Sequence, residues 1–163
     1  MFEFRHGTKE VSLVATWAAL YAALVYAFAP ISFYALQFRV AGVLRPAIAK
    51  KWTLAYAYAI GVFLGNLISP FAGTWELIFM PLMSFVAGIL GHLAARLCRR
   101  YDYYVCGVVI AVVIPLSVSF MLYQLFNLPM PLTLPMLLVS EQVVNLIGAS
   151  LFKAIERRYV WWR

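Results

Sequence analysis

Long apolar runs, with nearly all charges confined to the short segments between them, restrict the possible folds of this chain more than any other feature. Of its 163 residues, 65% are hydrophobic and 12% are charged, whereas a soluble domain is about half apolar and a quarter charged. A soluble fold of this size could not bury so much apolar surface. We therefore expect one integral membrane domain over residues 1–163, built from α-helices.

Six apolar segments are candidates to cross a bilayer, since a spanning helix needs about 20 mostly apolar residues. They end at prolines, glycines or basic clusters. The second is the shortest and contains Arg39 and Arg45, which cost too much for a helix that faces lipid. We expect protein to surround it, or the segment to dip into the membrane without crossing. The predicted helices are 11–29, 34–49, 52–69, 75–97, 103–126 and 130–155.

The basic residues predict the orientation of the chain. With the N-terminus inside, all of the 13 Lys and Arg residues except Arg39 and Arg45 fall on the cytoplasmic side, as the positive-inside rule requires. Six helices then place both termini on the cytoplasmic side of a cell membrane. The net charge of +7 belongs to this pattern, so we expect a lipid bilayer and not nucleic acid as the large partner.

Polar side chains inside the apolar runs predict a small-molecule pocket in the outer half of the bundle. Charged groups within a membrane are costly and functional by default, and Glu141, half-way along the last helix, needs a partner such as Arg39 or Arg45. Internal ion pairs that only fix helix register are the alternative. Charges, amides and aromatic rings at one depth are typical of ligand pockets. The predicted substrate-binding residues are Tyr34, Gln37, Arg39, Arg45, Asn66, Trp75, Glu76, Glu141 and Asn145.

The first helix has small residues at every fourth position, including Ala15, Ala19 and Ala23. Such a stripe forms a smooth groove in which a second helix can approach closely. An internal packing face and a surface for a partner protein are both consistent with this pattern.

The sequence lacks the motifs that several kinds of chemistry require. It contains no Cys/His cluster with metal-ligand spacing, no HExxH motif and no phosphate-binding glycine loop. We therefore expect no metal, no cofactor and no catalytic residues, and an ATP-driven process would need other chains.

Two other functions stay open. A stand-alone channel or carrier for a small polar or acidic metabolite would need polar residues along the inner halves of the helices, which are mostly apolar apart from His92. An intramembrane enzyme would need Glu141 and His92 at one depth, and their positions along the helices differ by several residues.

Residues 29–44 read APISFYALQFRVAGVL, which resembles the APISFGPIQFRVSEAL stretch of the QueT family. The members of this family are substrate-binding S-components of energy-coupling-factor (ECF) transporters. The glycine pair Gly61 and Gly65 is similar to the third-helix motif of the family, and residues 75–79 are similar to its WDIVFG segment. Ser140-Glu141 and Gly148 resemble the GE…LG pattern of its last helix.

The resemblance implies a six-helix S-component that works with a transmembrane T-component and two cytoplasmic ATPases. It also implies that Ala15, Ala19 and Ala23 pack against the T-component. The substrate class of the family is a queuosine precursor, a 7-deazaguanine. Its guanidine-like edge would bind to Glu76, Glu141 and Asn145, and Trp75 or Tyr34 would stack on the ring.

One departure from the family pattern changes the expected charge of the pocket. Gly42 stands where the family has an acidic residue, and Arg45 follows shortly after. The lost carboxylate and the second arginine predict a more positive pocket, which suits an acidic substrate or a neutral base without an aminomethyl cation.

Overall fold

The computed structural model describes residues 3–33 and 38–162, with side chains from residue 7 onward. This part of the chain is helical and contains no β-strand. Its elements are α1 (Glu3–Ala27), the short α2 (Ala29–Ser32), a 3₁₀ helix (Val40–Ala49), α3 (Leu54–Asn66), a π-helical turn (Trp75–Phe79), α4 (Met80–Leu97), α5 (Asp102–Phe126) and α6 (Met130–Glu156).

Within the described residues, four segments are long and apolar enough to cross a membrane. They are Gly7–Ala27, Trp75–Leu97, Asp102–Phe126 and Met130–Glu156. The 3₁₀ helix and α3 are apolar but shorter, with 10 and 13 residues. The all-helical, multi-pass architecture is therefore as predicted, whereas six crossings and cytoplasmic termini stay predictions.

The second predicted helix, 34–49, takes a different form from the α-helix that its apolar character suggested. Residues 34–37 lie outside the described residues, and Val40–Ala49 form a 3₁₀ helix. Pro46 explains part of this difference, because in an α-helix its ring would clash with the carbonyl of Gly42. A 3₁₀ helix rises about 2.0 Å per residue, so ten residues extend roughly 20 Å.

The 3₁₀ helix lies at the centre of the bundle and contacts α1, α3, α4, α5 and α6. Seven of its ten residues are buried, Arg45 among them, whereas Arg39 just before the helix is half-buried. The expectation that protein surrounds the arginines is therefore confirmed for Arg45. Its approach to α6 is very close: a Cβ atom at Gly148 would lie 2.2 Å from the carbonyl oxygen of Val43. Tertiary packing therefore holds a 3₁₀ run that is far longer than the usual three or four residues.

Ion pairs join the helix ends near the two chain termini, which we call the proximal end of the bundle. Glu10 of α1 binds Lys51 and accepts a hydrogen bond from Thr53 at the start of α3. Lys50 lies 2.6 Å from both Asp102 of α5 and Glu156 of α6. The described Lys and Arg residues other than Arg39 and Arg45 lie at this end.

The opposite, distal end of the bundle is uncharged in its connections 67–74 and 127–129. The ends of α1 and α3 meet there, where the Tyr26 hydroxyl donates to the Leu64 carbonyl at 2.7 Å. Asn127 closes α5 in the left-handed conformation, with φ of 52°. The π-helical turn, the end of α5 and the start of α6 complete this end.

Candidate functional site

A cavity of about 520 Å³ lies at the distal end, between the end of α5, the start of α6 and the segments that lead into the 3₁₀ helix and α4. This volume is within the range of small-molecule sites, which are mostly apolar with a few placed polar groups. We call it the distal cavity. Its lining includes Phe33, Phe71, Phe126, Met121, Met136, Thr133 and Glu76.

Glu76 is the charged residue in the described lining of the distal cavity. Its side chain is almost fully buried, with the residue 4% exposed. The Oε2 atom is buried and has no hydrogen-bond partner among the described residues. A buried acceptor without a partner costs free energy, so a ligand that donates N–H groups would stabilise this carboxylate.

The backbone around Glu76 forms a wide turn that the sequence did not predict. The N–H of Met80 donates to the carbonyl of Trp75, five residues back, as in a π-helix. Such turns are rare and are frequently found at functional sites. The turn places Glu76 at the wall of the cavity, while the ring of Trp75 packs edge-on against Phe79 and Phe120 at 5.1 and 6.0 Å.

Asn66, at the end of α3, joins the turn to the start of the 3₁₀ helix. Its Oδ1 atom accepts a hydrogen bond from Arg39 Nη2 at 2.9 Å, and its Nδ2 atom donates to the carbonyl of Glu76 at 2.8 Å. The Arg39 guanidinium also lies 5.6 Å from the centre of the Phe33 ring, within cation–π range. Arg39 and Asn66 are thus next to the cavity, behind Phe33 and Glu76.

Arg45 and Glu141 form an ion pair in the middle of the bundle. Arg45 is 1% exposed and also donates to the Tyr21 hydroxyl at 3.1 Å, with the Tyr58 ring 5.1 Å away. Asn145 Nδ2 donates to the Glu141 carbonyl at 2.8 Å and to its carboxylate at 3.2 Å. The predicted pairing of Glu141 with an arginine is present, and it connects the 3₁₀ helix to α6.

A small space separates the ion pair from Arg39. It measures about 10 Å³, is lined by Arg39, Glu141, Pro115 and Leu137 among others, and has room for about one water molecule. Leu137 also lines the distal cavity, so this side chain stands between the two spaces. Arg45 and Asn145 line neither of them.

The predicted site residues therefore fall into separate groups. Glu76 lines the distal cavity, and Arg39 and Asn66 support its wall. Arg45, Glu141 and Asn145 form a central cluster below it, and Trp75 lies beside the cavity without lining it. Tyr34 and Gln37 are outside the described residues. Phe33 and Phe71 were not predicted, although an aromatic residue within three positions after Pro30 and after Pro70 is the signal that could have indicated them.

The charge of the described lining differs from the expected one. The replacement by Gly42 and the addition of Arg45 predicted a positive pocket, but Arg45 is neutralised by Glu141 and lies away from the cavity. The lining contains a carboxylate in place of a guanidinium, which favours a neutral or cationic ligand.

The small-residue stripe of α1 has two different sides. Ala18 and Ala22 are buried, whereas Ala15, Ala19 and Ala23 are exposed. Ala15 and Ala19 line a groove of about 560 Å³ between α1 and α3.

A family model called QueT transporter matches residues 11–157. The chain belongs to the QueT transporter family. Membership of this family and the four long apolar helices identify the chain as a multi-pass membrane transport protein. The family implies that it is a transporter rather than an enzyme. No curated protein and no solved structure matches it. In this QueT family member, the distal cavity combines apolar side chains with a buried carboxylate oxygen that has no hydrogen-bond partner among the described residues.

Proposed function

We propose that this protein is the substrate-binding S-component of an ECF transporter and that it imports a queuosine precursor, a 7-deazaguanine, or a related vitamin-like compound. Membership of the QueT transporter family supports the general role. The observation that supports the substrate is the buried Oε2 atom of Glu76, which has no hydrogen-bond partner among the described residues and lies at the wall of an apolar cavity with three phenylalanines.

The chemistry of a 7-deazaguanine fits this wall. Its flat bicyclic ring suits contacts with Phe33, Phe71 and Phe126, since aromatic faces pack favourably. Its ring N–H and exocyclic amine form one edge that can donate two hydrogen bonds to the Glu76 carboxylate, and charge-assisted hydrogen bonds of this kind are strong. A negative wall admits a neutral base or an aminomethyl cation and disfavours a phosphorylated nucleotide.

The proposal also includes the partners of the S-component. A transmembrane T-component would dock on α1, where Ala15, Ala19 and Ala23 are exposed. Small residues let a second helix approach closely. Two ATPases on the cytoplasmic side of a prokaryotic cell membrane would supply the energy, because the sequence has no nucleotide-binding motif of its own.

The binding test uses the purified protein in detergent with 7-deazaguanine, its 7-aminomethyl derivative and guanosine monophosphate. We expect both bases to raise the melting temperature by mass action and the nucleotide to have no effect. In Glu76→Gln the affinity falls about 10- to 100-fold, because one charged acceptor is lost. Glu10→Gln, an equal change at the proximal end, is the control. A wild-type protein that binds neither base, or a Glu76→Gln variant with unchanged affinity, contradicts the proposed site.

Uptake into proteoliposomes tests the partners separately. We expect uptake of the labelled base only when the protein is reconstituted with a T-component and ATPases and supplied with ATP. Uptake by the protein alone would instead identify a stand-alone carrier, the other transport function that the sequence left open.

A further inference from the structure

Asn66 is buried (0% exposed), and both ends of its amide are used within the protein. It accepts a hydrogen bond from Arg39 and donates one to the Glu76 carbonyl. This geometry differs from that of a group aimed at a ligand. A backbone carbonyl inside a helix ordinarily accepts a hydrogen bond from a backbone N–H, so the bond from the Asn66 side chain needs a structural cause.

Pro81 is the cause of this side-chain hydrogen bond. In an α-helix the N–H of Met80 would donate to the Glu76 carbonyl, but here it donates to Trp75, one residue further back. The next residue that could donate to the Glu76 carbonyl in this wide turn is residue 81, but it is proline and has no N–H. The Glu76 carbonyl is left without a backbone donor in its own helix, and Asn66 Nδ2 supplies the missing hydrogen bond at 2.8 Å.

We propose that Asn66 is a positioning residue: it substitutes for the N–H that Pro81 lacks, stabilises the π-helical turn, and so holds the Glu76 carboxylate at the wall of the distal cavity. Through its Oδ1 atom it also fixes Arg39 behind the same wall. Asn66 therefore sets how well the site recognises the donor edge of a ligand, without touching the ligand. This inference rests on the proposed function of the cavity.

The test compares two probes, 7-deazaguanine and 7-deazahypoxanthine, which differ by the exocyclic amine at the donor edge. The readout is the ratio of their affinities, because a loss of overall stability lowers both affinities together. We expect the wild type to prefer 7-deazaguanine. Asn66→Ala reduces this preference about tenfold, the loss that one buried hydrogen bond corresponds to.

Three further variants make the test specific. Ser84→Ala removes another buried side-chain donor to a carbonyl of the same helix, that of Met80 at 2.8 Å, and we expect it to keep the wild-type preference. Asn66→Asp keeps an acceptor for Arg39 but removes the donor to the Glu76 carbonyl. It takes the place of Asn66→Ala in the test if that variant does not fold. Pro81→Ala restores an N–H at residue 81, so we expect it to recover the preference in the Asn66→Ala background.

The outcomes separate this inference from the proposed function. If Asn66→Ala and Asn66→Asp keep the wild-type ratio, or if Pro81→Ala recovers nothing, Asn66 does not position Glu76 and the inference is wrong. If the wild type binds neither probe, or if Glu76→Gln keeps the wild-type ratio, the proposed function itself fails.

Discussion

The buried charges of this transporter differ in their surroundings, and these differences fit the separate tasks that we propose for them. Arg45 and Glu141 neutralise each other and hold the 3₁₀ helix against α6. Glu76 has an oxygen without a partner among the described residues and faces the distal cavity. Since an uncompensated buried charge is costly, the first pair fits a structural role and the single carboxylate fits ligand binding.

At the residue scale, the central ion pair predicts an asymmetric effect on stability. Glu141→Gln leaves the buried Arg45 without its counter-charge, and we expect it to destabilise the fold by about 3–5 kcal/mol. The double variant Arg45→Met with Glu141→Leu removes both charges, and we expect it to recover most of this loss. Melting temperatures of the purified proteins provide the measurement. A double variant less stable than Glu141→Gln would show that the charges are needed for more than mutual neutralisation.

The element that organises the bundle is the 3₁₀ helix Val40–Ala49. Its extended rise lets ten residues reach most of the way between the distal wall and the proximal ion pairs. It begins beside Arg39, which supports the cavity, and ends beside Lys50, which joins α5 and α6. The length of a 3₁₀ run depends on its neighbours, because its hydrogen bonds are poorer than those of an α-helix.

At the element scale, the contact of this helix with α6 requires glycine. A Cβ atom in Gly148→Ala would lie 2.2 Å from the Val43 carbonyl oxygen, and backbone cannot move aside as a flexible side chain can. We expect this variant to lose about 1–3 kcal/mol of stability, as overpacked cores do. Gly7→Ala in α1, where nothing lies within 4 Å, is the matched control and should melt no lower than the wild type. Equal melting temperatures for the two variants would contradict the close approach.

On the scale of the whole molecule, the two ends of the bundle have opposite chemical characters. The proximal end contains Lys50 between Asp102 and Glu156, with the Trp162 ring 4.4 Å from its Nζ atom. The distal end has the uncharged connections 67–74 and 127–129 and an apolar cavity with three phenylalanines. The proposed ligand site and the basic surface thus lie at opposite ends, as expected if the basic end faces the cytoplasm, which is the orientation that the positive-inside rule predicts.

The proximal cluster predicts a dependence of stability on pH. Partial burial lowers the pKa of Lys50, but hydrogen bonds to Asp102 and Glu156 outweigh this effect, and the pKa is raised overall. The stabilisation is therefore complete below the pKa of an unfolded lysine and is lost as the pH rises through the higher folded pKa. We expect Lys50→Met to melt below the wild type at neutral pH, and the difference to shrink above about pH 10. Lys9→Met is the control, and a difference that grows with pH would refute the assignment.

Individual residues show how far the sequence could predict the site. Glu141 was expected to pair with Arg39 or Arg45, and Glu76 was expected at the distal end, because helix positions specify depth. The sequence did not show that Arg45 is the partner, or that Asn66 serves a backbone carbonyl. The Arg45–Glu141 pair depends on the rotation of each helix about its axis. The hydrogen bond of Asn66 depends on the missing N–H of Pro81 and on how α3 packs against the π-helical turn.

The sequence by itself determined the helical membrane class, the placement of basic residues at the helix ends, and the family. These follow from local properties, namely the length of apolar runs, the cost of charge in lipid, and motifs that can be read in order. Only the tertiary structure decided that residues 40–49 form a 3₁₀ helix and that the cavity contains a carboxylate instead of an arginine. Both outcomes depend on which surfaces meet, and contacts between residues a hundred positions apart are not encoded in any local pattern.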